Sequence, residues 1–112
     1  MSQPFADLPV PPYFVVCFSS QRSEKDDGYG DMALEMERLA RQQPGFLGVE
    51  SVRGDDGFGI TNSYWRDEQS IRDWKNVTDH LAAQTKGRAD WYRYYHVRIA
   101  RVERAYSFKM EI

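Results

Sequence analysis

Cysteine is almost missing from this chain: Cys17 stands alone among 112 residues. One thiol excludes an internal disulfide and a cysteine-based metal cluster. Excess charge of one sign is missing too, since 15 basic and 17 acidic residues leave a net charge of −2. That balance argues against nucleic acid or an anionic membrane as partner, because both need a clustered basic face. No apolar run approaches the about 18 residues of a membrane span. The N-terminal MSQPFADLPVPPY has no basic stretch followed by an apolar one, so it does not read as a secretory signal. The expected location is therefore the cytoplasm. Phosphate loops, dinucleotide fingerprints, serine triads and paired metal-ligand motifs are absent, and neither a metal nor a cofactor is expected.

What is present suits one packed domain. The hydrophobic fraction is 41% with 14% aromatic residues, enough for a core in a chain of this length. Residues 1–12 carry four of the five prolines and read as an extended lead-in; residues 13–112 form the domain. Tyr13–Ser19 is a β-branched and aromatic run, a strand covered on both faces and hence central. Arg22–Gly30 is polar and glycine-bearing, a loop. Met32, Ala33, Met36, Leu39 and Ala40 then trace the apolar stripe of a helix over Asp31–Gln43. Pro44-Gly45 stops it.

Phe46–Arg53 is a second strand, Asp55-Asp56-Gly57 a hairpin turn, and Phe58–Trp65 a third strand. Alternation along the third strand places Thr61, Ser63 and Trp65 on one face and Asn62 and Tyr64 on the other. Asp67 stands where a helix cap belongs, and the helix runs from about Glu68 to Lys86. Ile71, Trp74, Val77, Thr78 and Leu81 are its expected buried stripe, with His80 and Gln84 on the bordering flank. An aromatic connector over Ala89–Tyr94 leads to a fourth strand at His96–Arg104. The tail AYSFKMEI is a candidate extension of the pairing. The order βαββαβ implies an α+β, ferredoxin-like fold: an antiparallel four-stranded sheet with both helices on one face. The bare face then calls for a partner, which a symmetric dimer supplies.

Several segments together resemble the antibiotic biosynthesis monooxygenase domain family of dimeric α+β barrels. They are Pro44–Glu50 (PGFLGVE), Tyr64-Trp65 with the acidic Asp67-Glu68 turn, Trp74, and His80–Gln84 (HLAAQ). The resemblance covers roughly Tyr13–Phe108. It implies a homodimer and a cavity in each protomer between sheet and helices, holding a small aromatic or apolar ligand. It does not imply one reaction. Some similar proteins oxidise aromatic polyketides with molecular oxygen and no cofactor, and some degrade haem. In the haem-degrading branch an axial histidine occupies the position of Gln84, and an amide is a poor iron ligand. The first-strand asparagine of that branch is also missing from Val16-Cys17-Phe18-Ser19. The quinone-forming branch places an asparagine four residues before a tryptophan. Here Asn62 precedes Trp65 by three, so the two face opposite ways, and Thr61 and Ser63 share Trp65's face.

The leading functional expectation is a cofactor-independent monooxygenase acting on an electron-rich aromatic. His80 is its candidate catalytic base. Trp65, Thr61, Ser63, Tyr64, Asn62, Trp74, Gln84, His96 and Arg98 are candidate substrate contacts, with Arg98 a holder of the substrate anion. Each has a plainer role beside it: Trp65 and Trp74 as packing, His80 as a half-exposed histidine, His96 and Arg98 as the polar face of a strand. Cys17 behaves as a small buried hydrophobe. A ligand-binding barrel without chemistry is the alternative, and haem degradation is the third.

Overall fold

The computed structural model describes residues 4–24, 28–82 and 91–110 in full, and residues 83–85 as helix backbone. Its elements run β1 (Tyr13–Arg22), α1 (Tyr29–Arg41), β2 (Phe46–Arg53), β3 (Phe58–Trp65), α2 (Glu68–Thr85) and β4 (Tyr92–Val102). The strands form one sheet in the order β2-β3-β1-β4, and every neighbouring pair is antiparallel. This is the ferredoxin-like α+β arrangement, with the apolar β1 at the centre as its sequence required. No helix among the described residues is long and apolar enough to cross a membrane.

Local chemistry sets the element ends. Gly45 takes φ +85°, and its carbonyl accepts from the Arg66 N–H at 2.8 Å. A Cβ there would run into the Ser70 side chain, so this turn requires glycine twice over, for conformation and for space. The β2–β3 hairpin closes through Gly57 at φ +87°, with Gly57 N–H donating to Gly54 O at 3.0 Å. Asp67 caps α2: its Oδ1 accepts from the Ser70 N–H at 2.8 Å and from the Ser70 hydroxyl at 2.7 Å.

Register decides which side chains face the helices. Phe14 pairs with Trp65, Val16 with Ser63 and Phe18 with Thr61. Across the other edge Val16 pairs with Ile99 and Phe18 with Val97. These residues form the inner face. Trp65, Ile71 and Ala40 make the buried core there, with Phe14, Val16, Phe46 and Trp74 packed around it.

Tyr13, Val15, Cys17, Asn62 and Tyr64 lie on the outer face by the same register. That face is not bare along its whole length. The lead-in crosses it, with Ala6 and Leu8 resting over Gly48 and the Ala6 N–H donating to Glu50 at 3.1 Å. Tyr13 and Val15 are buried, while Val52, Phe58, Ile60 and Tyr94 remain exposed.

Several boundaries differ from the sequence expectation, and α1 and β4 each end two residues early, at Arg41 and Val102. β1 runs on to Arg22, and α1 begins at Tyr29, so the intervening loop is shorter than its polar composition indicated. β4 begins at Tyr92, inside the expected connector. Tyrosine favours pleated surfaces, and a bulge opposite Gln21 and Arg22 lets Tyr92 join the sheet. The tail over residues 103–110 is not a strand, and Tyr106 and Phe108 project into solvent. The expected helix end at Lys86-Gly87 and the start of the connector at Ala89 lie outside the described residues.

Candidate functional site

The inner face and the two helices do not close on each other. They enclose a cavity of about 660 Å³. Val16, Phe18, Ser63 and Thr61 lie in its floor; Met36 and Ala40 of α1 and Trp74 and Thr78 of α2 lie in its roof. Val97 and Ile99 of β4 line it as well, yet stay 49% and 53% exposed, so the cavity opens along that edge. An apolar hollow of this size with a few polar groups is the usual form of a small-molecule site.

The polar groups in the floor are held by their neighbours. Trp65 is 0% exposed and sits one layer behind the wall. Its Nε1–H donates to Ser63 Oγ at 2.9 Å, which fixes the serine hydroxyl toward the cavity side of the core. Ser51 Oγ and Thr61 Oγ1 share a hydrogen bond of 2.7 Å. Trp65 also meets Phe46 edge-on at 5.5 Å and stacks on Trp74 at 5.8 Å.

One end of the cavity is charged. Arg53 leaves β2 opposite Gly59, and its guanidinium lies over that glycine, where a Cβ would come within 2.8 Å of Cζ. It reaches β1, donating from Nη2 to Ser20 Oγ at 2.8 Å and from Nη1 to Gly57 O at 2.6 Å. Nη2 also donates to the Tyr29 hydroxyl at 3.3 Å. The Tyr92 hydroxyl donates to the same oxygen at 3.5 Å. Arg22 stacks over the Tyr29 ring with Cζ 3.4 Å from its centroid, a close cation–π contact. Burial, reinforced by the bond to Tyr29, pushes the Tyr92 hydroxyl well above the ordinary tyrosine pKa, so it stays a donor at any working pH.

The sequence candidates divide between the two faces. Thr61, Ser63 and Trp74 lie in the cavity wall, and Trp65 supports it from behind. Asn62, Tyr64, His96 and Arg98 lie on the outer face, away from the cavity. Tyr64 donates to Glu50 at 2.6 Å, and burial plus that bond raise its pKa. His96 is exposed and bonded to Tyr94. Arg98 therefore cannot hold an anion in the cavity, since an even spacing from His96 keeps both on the wrong side of the sheet.

His80 is exposed and is not part of the wall. The α2 residues that line the cavity are Ile71, Trp74, Lys75, Thr78, Asp79, Leu81 and Ala82, so four of the five expected stripe residues face it and Val77 does not. Nine positions beyond Ile71, at about 3.6 residues per turn, is about two and a half turns, so His80 points the opposite way. Gln84's side chain lies outside the described residues. Among the described residues no imidazole lines the cavity, and no three or more His, Cys, Asp or Glu side chains converge as a metal site.

Sequence reading missed Arg53, Tyr29 and Tyr92. Arg53 looked like the polar end of a strand, although alternation from Val49 through Ser51 already placed it on the inner face. Tyr29 was hidden in a polar loop, and Tyr92 in the connector that the bulge converts to strand.

Comparison with known proteins agrees with this architecture. The family model for antibiotic biosynthesis monooxygenase matches residues 12–86. The chain belongs to that family. It is 54% identical over 101 residues to the uncharacterised protein YqjZ of Bacillus subtilis, covering 90% of this chain and 89% of that one. It is 30% identical over 94 residues to a protein of Pyricularia oryzae named jasmonate monooxygenase ABM, covering 80% of this chain. This chain spans only 43% of that relative's length. A solved structure from Nitrosomonas europaea superposes with a TM-score of 0.68 at 11% identity, covering 88% of this chain and 97% of that one. One from Shewanella oneidensis gives 0.68 at 12% identity, covering 88% and 100%. At such identities these two speak for the fold alone.

Proposed function

We propose that this protein is a monooxygenase that oxidises an electron-rich aromatic small molecule with O2 in the sheet–helix cavity. The observation that carries the proposal is the cavity itself: apolar and ring-lined, with the hydroxyls of Ser63 and Thr61 in its floor, in a chain of a monooxygenase family. The relative named for jasmonate monooxygenation points the same way. A phenol supplies all the electrons such a reaction needs. Phenol and O2 yield quinone and water: one oxygen atom forms the new carbonyl, the other leaves as water with two hydrogens from the substrate. The chain's task is to bind the ring, orient it and exclude bulk water. Trp74 and Met36 bracket the ring, while Ser63 and Thr61 offer it hydrogen bonds. His80 is not given the role of base, because it faces away from this space.

We also propose a cytoplasmic homodimer joined through the outer face. The exposed Phe58, Ile60 and Tyr94 on that face support it, as do the exposed Tyr106 and Phe108 of the tail. Oxygen consumption with a panel of phenols and hydroquinones tests the enzymatic reading. Turnover coupled to quinone formation is expected. Binding of the same compounds without oxygen uptake would instead make the protein a ligand-binding barrel.

A further inference from the structure

The charged end of the cavity lacks a counter-charge among the described residues. Arg53 is half-buried, and among the described residues its guanidinium donates to neutral oxygens alone: Ser20 O, Ser20 Oγ, Gly57 O and the Tyr29 hydroxyl. Among the described residues no carboxylate pairs with it. An arginine stays charged throughout the physiological range, and charges withdrawn from water are normally matched by a partner.

Tyr29 is unfinished in a complementary way. Its oxygen accepts from Arg53 and from Tyr92. A hydroxyl that accepts from a guanidinium must turn its own proton elsewhere, and no acceptor among the described residues takes that proton. Tyr29 lines the cavity, as do Arg53 and Tyr92. The positive charge, the outward O–H and the hollow therefore meet at one place.

We propose that Arg53, Tyr29 and Tyr92 seat the carboxylate of an otherwise apolar ligand. One carboxylate oxygen accepts from the Tyr29 O–H, and the guanidinium behind it neutralises the charge. The body of the ligand lies along the apolar floor toward Trp74. The seat favours a carboxylate over a phenol, which is neutral at pH 7 with a pKa of about 10. It also favours a carboxylate over a phosphate, because both Nη atoms of Arg53 are already engaged and too few donors remain for three oxygens. The inference rests on the cavity being the substrate site, and it narrows the substrate to an electron-rich aromatic carboxylate.

The test is a fluorescence titration of the purified protein with 6-hydroxy-2-naphthoate, with its methyl ester and with 2-naphthol. The acid is expected to bind about tenfold more tightly than the ester, as for a charge-assisted hydrogen bond in a partly buried site. Tyr29→Phe removes one oxygen and should abolish that preference, weakening the acid about tenfold more than the ester. Arg53→Met should do the same, and Arg53→Lys should restore part of it. A merely structural role for Arg53 would weaken acid and ester alike. Equal binding of acid and ester by the native protein would overturn the seat and leave the cavity standing. A preference that survives in Tyr29→Phe and Arg53→Met would place the seat elsewhere and also overturn it. If none of the three compounds bound, the cavity would not be a ligand site and both inferences would fall.

Discussion

Trp65 and Trp74 stack with ring centroids 5.8 Å apart and planes 28° from parallel. Trp65, at the end of β3, is fully buried, whereas Trp74, nearly two turns into α2, presents its far side to the cavity. The pair is the joint between core and site. A strand residue with no solvent contact fixes the position of a helix residue that meets the ligand.

The two positions should respond differently to truncation. Trp65→Ala removes a buried ring and should destabilise the fold by about 3–5 kcal/mol. Trp74→Ala removes a ring already half open to the cavity and should cost less, about 1–3 kcal/mol, while weakening ligand binding. Chemical denaturation and ligand titration of both variants check this. A larger stability loss for Trp74→Ala would mean that the roles are exchanged.

Asp67 makes the α2 cap sensitive to acid. The Ser70 hydroxyl and the Ser70 N–H hold its carboxyl below the usual aspartate range. A carboxyl with a lowered folded-state pKa contributes stability that is present above its unfolded pKa and is lost as pH falls through the folded one. Melting temperatures of the native protein should therefore drop below about pH 4, and Asp67→Ala should flatten that part of the profile. An identical acid limb in the variant would remove Asp67 from the account.

The outer face should carry the homodimer. Light scattering at micromolar concentration should give twice the chain mass. Phe58→Glu together with Ile60→Glu adds two charges where the partner sheet must lie, and should yield a folded monomer by circular dichroism. A native protein that is monomeric would contradict the proposed pairing. A variant that remains dimeric would move the interface off this part of the face.

The fold was legible because its signals are local. The glycine in Pro44-Gly45, the Asp55-Asp56-Gly57 turn and the Asp67 cap each act within a few residues, and alternation in β3 sorted Thr61, Ser63 and Trp65 from Asn62 and Tyr64 correctly. The site was legible only in part, because it depends on phase and on distant pairing. Four of the five expected stripe residues of α2 face the cavity, but the lining extends toward Lys75 and Ala82 rather than toward Val77, and that shift in phase takes His80 off the rim. Asp73, Val77 and Gln84 follow the same helix, so no local residue could correct that phase. Arg53 meets Tyr29 and Tyr92 only after three separate segments assemble, and the bulge that turns Tyr92 inward has no mark in the sequence.

The most direct measurement of the central claim is the fate of labelled oxygen. The protein is supplied with ¹⁸O₂ and a phenol that it turns over, and the product is analysed by mass spectrometry. One labelled atom in the quinone, with the other in water, is the expected result. A product without label, or oxygen returned as hydrogen peroxide, would contradict monooxygenation in this cavity.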